Sequence, residues 1–414
     1  MRITPFVLLG SALAAASVAQ AQQTRALSKP DVEFPEPFTI VSSLRELRDG
    51  RVVVADAREK TLQLIDLKSG SAAALGREGS GPAEYGLPMS VLAMPGDTTF
   101  VFDPLNQRYL IVADGKATGT WSMAIPDVGG PPTPQRAAPA PEVRGGGPGV
   151  RFGGAFGGFP RGADVRGRLY FQPPNFTIGP EGPKSVDSAA ITRYDRATKK
   201  TDTLTFVKVP QSNVQTSGNP GGQGGGRVAI RIGGATPFEP QDEWTVLSDG
   251  RVAVVRASDY HVDVVSGPRQ KVSGPAVPYE KVKVGEAEKK AWRENQGRGT
   301  AIAITRDAGP GGARSSATAA PPASIPEPDK WPEVMPAAAR NGVFGTPKGE
   351  IWVQRNRPAN NPNPYFDVFD GQGRFTGKVT LPKGTRLVGF GNGTVYLART
   401  DADDLQYLQR YRYP

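Results

Sequence analysis

Two stretches of this chain, 200 residues apart, are copies of one another. Pro37-Phe38 leads to Leu47-Arg48-Asp49-Gly50-Arg51-Val52-Val53-Val54, and Pro237-Phe238 leads to Leu247-Ser248-Asp249-Gly250-Arg251-Val252-Ala253-Val254. Nine of the 21 positions from 37 to 57 are identical to their partners at 237 to 257. A repeat limits the fold more than composition does, because each copy must be one unit that its neighbours complete. The unit here is a hairpin. Asp-Gly ahead of an alternating apolar run marks a turn that needs a positive φ, which glycine adopts without steric cost.

Four looser copies follow. Pro95-Gly96-Asp97, Arg166-Gly167-Arg168, Lys348-Gly349-Glu350 and Asn392-Gly393-Thr394 each precede a short apolar run. A third β run follows every hairpin, and in five of the six copies a further turn leads toward a fourth. The unit is therefore a four-stranded meander, with strands A to D. Intervals between the turn glycines are 46, 71, 83, 99 and 44 residues. The two short ones match the roughly 40–50 residues of a propeller blade, and the long ones hold inserts. Six such units, each with edges that must be covered, predict an all-β, six-bladed β-propeller of four-stranded antiparallel blades. The sixth unit lacks its fourth strand before the chain stops at Pro414. Residues 27–34 are expected to supply it and to close the ring through its two ends.

Composition agrees. The 414 residues include 51 Gly and 40 Pro, more than long helices tolerate. Arg2, an apolar run from Phe6 to Val18 and Ala19-Gln20-Ala21 form a signal peptide over residues 1–21, so the mature domain is expected to span 22–414 in the periplasm or outside the cell. No other stretch is long and apolar enough to cross a bilayer. There is no Cys, so packing alone must hold the ring. The net charge of +10 comes largely from Arg scattered through inserts, with no basic run interleaved with stacking aromatics; nucleic acid is not an expected partner. A monomer is expected.

The turns of the form Leu-x-Asp-Gly-Arg-Val, the run Gly76-Arg77-Glu78-Gly79-Ser80-Gly81-Pro82-Ala83-Glu84-Tyr85 and Pro95-Gly96-Asp97 resemble the NHL-like six-bladed β-propeller proteins exported by bacteria. The resemblance covers residues 38–414 apart from the inserts. It implies the fold and says almost nothing about activity, because propellers host binding modules, scaffolds and enzymes alike.

Three inserts, at residues 126–162, 211–234 and 297–328, are rich in Gly, Pro, Ala and Arg and are expected to be disordered. A short helix is expected at residues 285–294, with Trp292 packing it onto the propeller. Gly76-x-x-Gly79-x-Gly81 and the Gly221 cluster lack the strand, the helix and the Lys-Ser/Thr of a phosphate loop. The A-to-B and C-to-D turns are short. Every long insertion falls between blades (D to A) or between B and C, and these connections share one face. Loops elaborated on a rigid scaffold are where such folds carry function. The residues ending strand B point to that face: Asp56, Asp103, Gln172, Arg256, Arg355 and Arg399. They are the candidate ligand-binding residues, a rim with acids in blades 1 and 2 and guanidinium forks in blades 4 to 6.

His261 is the only His, so a zinc site of several His is excluded, and a Ser-His-Asp triad would have to use a residue inside a β run. No catalytic set and no metal ligands are identified. A calcium site of carboxylates and amides stays open, although the strand A runs at residues 40–47, 89–94 and 387–390 are poor in acids. The sequence is read as an exported, non-enzymatic binding or scaffold propeller that holds a protein, peptide or glycan, with an anionic group favoured. The alternative is a calcium-assisted hydrolase or lyase of the gluconolactonase-like propeller type.

Overall fold

The computed structural model describes residues 23–122, 160–179, 182–211, 236–296 and 330–413, with residue 328 and the short stretches 214–217, 229–232, 301–309 and 312–320. The expected signal peptide at 1–21 and most of the three inserts lie outside the described residues.

Six antiparallel sheets of the expected kind form a ring. Strands A to D of blade 1 are Ser43–Glu46, Val52–Asp56, Thr61–Asp66 and Ser71–Ala74. Blade 2 is Ser90–Ala93, Thr99–Asp103, Arg108–Ala113 and Lys116–Ser122. Blade 3 is Gly162–Ala163, Leu169–Phe171, Ser188–Asp195 and Lys200–Lys208. Blade 4 is Glu243–Val246, Val252–Arg256, His261–Gly267 and Gln270–Ser273. Blade 5 is Ala338–Gly345, Ile351–Arg355, Tyr365–Phe369 and Phe375–Thr380. Blade 6 takes A, B and C from Thr385–Gly391, Thr394–Thr400 and Gln406–Arg412.

The fourth strand of blade 6 is Val32–Glu33, antiparallel to Arg410 and Gln409, so the N-terminal segment closes the ring as the sequence predicts. A second attachment was not foreseen. Gln23–Ala26 runs parallel to strand D of blade 5, pairing Gln23 with Gly377 and Ala26 with Thr380. Blade 5 therefore has five strands.

Packing explains why strand B is buried on both faces. In blade 1, Val52 and Val54 meet Tyr396 and Ala398 of blade 6, while Val53 and Ala55 meet Val101 and Leu110 of blade 2. Alternate residues of one strand thus serve two neighbours. The same logic joins blades 2 and 3 through Phe102 and Leu169, 3 and 4 through Tyr170 and Val254, 4 and 5 through Val255 and Val353, and 5 and 6 through Trp352 and Leu397. There is one apolar cluster per blade interface, which is the packing signature of a closed ring.

The six turn glycines Gly50, Gly96, Gly167, Gly250, Gly349 and Gly393 all have positive φ, from 68° to 91°. The two strong copies are chemically equivalent. Asp49 accepts the backbone N–H of Arg51 at 2.9 Å and its Nε at 2.7 Å; Asp249 does the same for Arg251 at 3.0 and 2.7 Å.

The helix spans Glu286–Gln296. Trp292 meets Trp331 edge-on at 5.2 Å, and Trp331 reaches Phe238 at 6.0 Å, so the helix is seated through the blade 4–5 crossover. Parts of the inserts pair as hairpins, Val214–Ser217 with Ala229–Ile232 and Ala301–Gly309 with Gly312–Ala320. No helix among the described residues is long and apolar enough to cross a membrane.

Candidate functional site at the mouth of the central channel

The six residues that end strand B, read from the sequence as a ligand rim, sit where expected, and each has partners within the protein. Asp56 accepts the N–H of Ile40 at 3.0 Å and those of Arg58 and Glu59 at 2.9 and 3.0 Å. Asp103 accepts the N–H groups of Gly86 and Leu87, both at 3.0 Å. Gln172 accepts from the Trp244 indole at 2.6 Å. Arg256 donates to Asp242 and Asp263, both at 2.8 Å. Arg355 donates to the Ala337 carbonyl and Asp367, both at 2.8 Å, and lies 4.6 Å over the Tyr260 ring. Arg399 grips Glu33 bidentately at 2.9 and 3.0 Å. Asp56, Asp103, Arg256 and Arg355 each tie a D-to-A connection to strand B, through Ile40, Gly86 and Leu87, Asp242 and Ala337. Gln172 instead reaches strand A of blade 4 and Arg399 strand D of its own blade. Among the described residues, none of the six bonds to another.

A different set converges nearer the axis. Strands A of successive blades touch each other, as innermost strands must. They begin on the face that carries the D-to-A and B-to-C connections, so their first residues ring one mouth of the channel. Glu243 opens strand A of blade 4 and is 2 % exposed. It accepts the backbone N–H of Asn341 at 3.0 Å and an amide N–H of Gln241. Asn341 can offer that N–H because strand A of blade 5 bulges between Ala338 and Val343 and places Asn341 at φ 54°, a left-handed conformation that Asn tolerates. Burial pushes the Glu243 carboxyl above its ordinary value. The Gln241 and Asn341 hydrogen bonds and the charge of Arg161 pull the other way without cancelling the effect.

Arg161 immediately precedes strand A of blade 3. Its guanidinium lies 5.2 Å over the Trp244 ring and, among the described residues, makes one long hydrogen bond, 3.5 Å to Asn341 Oδ1. Protein surrounds it closely enough for burial to lower its pKa, yet the side chain keeps solvent access through the channel. It lines a cavity of about 180 Å³ together with Ser43, Ser90, Val91, Leu92 and Pro160. Arg386, in strand A of blade 6, is by contrast engaged: it donates to the Val41 carbonyl at 2.5 Å and to Gln406 Oε1 at 2.8 Å.

The mouth therefore offers a guanidinium with unspent donors among the described residues, beside a buried carboxyl whose two oxygens accept from Gln241 and Asn341. The spare donors of the fork suit an anionic group. Among the described residues no cluster of three or more His, Cys, Asp or Glu is placed to hold a metal ion. Sequence reasoning missed Glu243, Arg161 and Asn341. The signals present were the Asp242-Glu243 pair at the head of strand A and the Arg340-Asn341-Gly342 interruption between Ala338-Ala339 and Val343-Phe344. Arg161 fell within a segment read as low-complexity.

No family model matches the chain, and no curated protein sequence does. Solved structures of other proteins align along most of the chain at low identity and low TM-score. A gluconolactonase from Xanthomonas campestris is 10% identical, with a TM-score of 0.35 over 92% of this chain and 91% of that one. Regucalcin from Agrobacterium tumefaciens, a calcium-binding protein, is 11% identical, with a TM-score of 0.34 over 94% and 97%. A streptogramin B lyase is 10% identical, with a TM-score of 0.34 over 92% and 86%. At such identities the likeness concerns the ring alone. The NHL-like resemblance stays a likeness of turn motifs, while the six-bladed propeller that it implied is the fold observed.

Proposed function

We propose that this chain is an exported binding propeller that receives an anionic group of a peptide or protein partner in the channel mouth, on the face of the D-to-A and B-to-C connections. The observation that carries this reading is Arg161. It has five N–H donors and, among the described residues, spends one, weakly, on Asn341. It faces a cavity of about 180 Å³, which admits a carboxylate-bearing side chain or chain end rather than a whole oligosaccharide. The Glu243 carboxyl beside it has both oxygens engaged, by Gln241 and by the Asn341 backbone, and makes no hydrogen bond to the guanidinium among the described residues. Arg256 and Arg355 act in this reading as the frame that fixes the crossovers around the mouth, and Arg399 holds strand D of its own blade.

The test is a thermal-shift and calorimetric titration of the full chain with acidic peptides and dicarboxylates, repeated on Arg161→Ala and Arg161→Lys. Binding should fall about tenfold or more with alanine and in part with lysine, whose point charge does not reproduce the fork. Unchanged affinity in both variants would sink the assignment of the mouth.

A further inference from the structure

A second cleft lies away from the axis, between the blade 4–5 crossover and the B-to-C loop of blade 5. Its walls are built, not incidental. The crossover runs extended at Lys283, which bridges Val334. Met335 donates to the Val282 carbonyl at 2.8 Å and Val284 to that of Glu333 at 2.9 Å. The helix follows at once. Glu288, in its first turn, accepts the N–H of Gly285 at 3.0 Å with one oxygen and that of Ala359 at 3.1 Å with the other. One carboxylate thus caps the helix and pins the opposite loop. Asn356 secures the loop's base by donating to the carbonyls of Pro336 and Ala338 at 2.9 and 3.0 Å. The cleft enclosed has a volume of about 460 Å³, within the usual size of small-molecule sites.

Its charges do not balance internally. Lys281 and Lys283, two apart on an extended segment, share one face. Arg357 joins them from the opposite loop, with its Nε on the Asn361 carbonyl at 3.2 Å and its plane 4.8 Å over Tyr365. Those contacts fix the fork and leave its terminal nitrogens without a bond among the described residues. None of the three cations has a carboxylate within ion-pair distance there. The Glu288 carboxylate is occupied by two backbone donors. The same wall carries Asn360, Asn361 and Glu280.

We infer that this cleft binds a carboxylated sugar, with Lys281, Lys283 and Arg357 taking the carboxylate and Asn360, Asn361 and Glu280 taking hydroxyl groups. Cations alone would suit any anion. Amides offer a donor and an acceptor together, which is what a vicinal diol pairs with. Glu280 can only accept, which the several neutral hydroxyls of a sugar satisfy, whereas a phosphate offers at most one or two P–OH groups and brings its own negative charge against the carboxylate. Val282 and Pro358 are the only wholly apolar side chains in the wall, too few for a hydrophobic ligand. This site is independent of the channel mouth, and either could fail without the other.

Calorimetric titration of the full chain with D-glucuronate, D-glucose and inorganic phosphate tests it. Glucuronate should bind, with glucose and phosphate each weaker by about tenfold or more. The double variant Lys281→Ala, Lys283→Ala should lose about tenfold or more in glucuronate affinity, and Arg357→Lys severalfold, both at an unchanged melting temperature. Arg161→Ala should leave glucuronate binding intact. Absence of glucuronate binding, equal affinity for glucose, equal affinity for phosphate, or loss through Arg161→Ala alone would each overturn the inference.

Discussion

The two faces of the ring use the same side chains for different ends. On the face of the A-to-B turns, charged and polar groups reach across blade boundaries. Arg45 of blade 1 donates to Thr99 and Asp97 of blade 2 at 2.8 and 3.2 Å. Glu46 of blade 1 accepts from Asn392, Thr394 and Tyr396 of blade 6 at 3.0, 2.5 and 2.5 Å. Tyr170 of blade 3 links Asp164 to the Gly250 carbonyl of blade 4 at 2.8 and 2.9 Å, and Arg251 of blade 4 donates to the Gly371 carbonyl of blade 5 at 2.5 Å. On the opposite face, the residues ending strand B mostly fasten their own blade's crossover, and Arg161, Lys281 and Lys283 keep donors in reserve. The difference follows from turn length. A turn of constant length presents its side chains at the same place in every blade, where they can serve as staples. Crossovers of variable length break that regularity and leave side chains over for a ligand.

The largest effect should come from the closure itself. Deleting residues 23–34 removes both N-terminal strands and Phe34, which is 1 % exposed in the blade 6–1 core. It should cost about 5 kcal/mol or more in chemical denaturation. An unchanged midpoint would mean that the ring is held without its clasp. Next is Arg355→Ala, which leaves Asp367, 1 % exposed, facing only Tyr260. A loss of about 3–5 kcal/mol is expected by the same measurement. A small loss would return Arg355 to the pool of ligand-binding residues.

The face of the staples can be probed by contrast. Glu46→Ala strands three donors and should cost about 2 kcal/mol, whereas Arg51→Ala, whose half-exposed pair with Asp49 stays within one turn, should cost less than about 0.5 kcal/mol. Equal losses would show that crossing a blade boundary confers no advantage. Two pH effects of opposite sign are also expected. Burial alone would raise the pKa of Asp263, but hydrogen bonds from Ser273 and Arg256 hold it at about 2, against 3.8 unfolded. Its contribution is complete above 3.8 and is lost as pH falls toward 2. Glu243 has a raised folded pKa, so its contribution weakens as pH rises above 4.5. Melting temperature followed against pH should show Asp263→Asn flattening the acid limb and Glu243→Gln flattening the loss above 4.5. The same sign for both would contradict the environments described. The smallest expected change is Arg161→Ala, within about 0.5 kcal/mol in stability, because no staple depends on it.

The sequence made the ring readable because its grammar is local. Each A-to-B turn announces itself by a glycine of positive φ, and each strand B by an apolar run without polar alternation. The clasp could be inferred from a missing strand. The channel mouth was hidden because strands A are the least regular elements: two residues long in blade 3 and bulged in blade 5, they show no period. The strand B rim could be located by counting, but what it does depends on Asp242 and Ala337, which arrive on crossovers, and on Glu33, which arrives on the N-terminal strand. The parallel strand at Gln23–Ala26 was invisible because its attachment runs through backbone groups, which any sequence possesses.

Joining Val32 to Arg410 has a consequence in time. The segment that finishes the last blade is among the first of the described chain to be made, and its partner strand is the last. The C-terminal hairpin must emerge before the arc of blades can shut, so closure is late, non-local and slow. Until then blades 5 and 6 present bare strand edges, and the early segment has nowhere of its own to dock. At high concentration the nearest suitable edge belongs to another copy. An exchanged dimer, each ring shut by its neighbour's first strands, is the misassembly that this architecture invites during refolding.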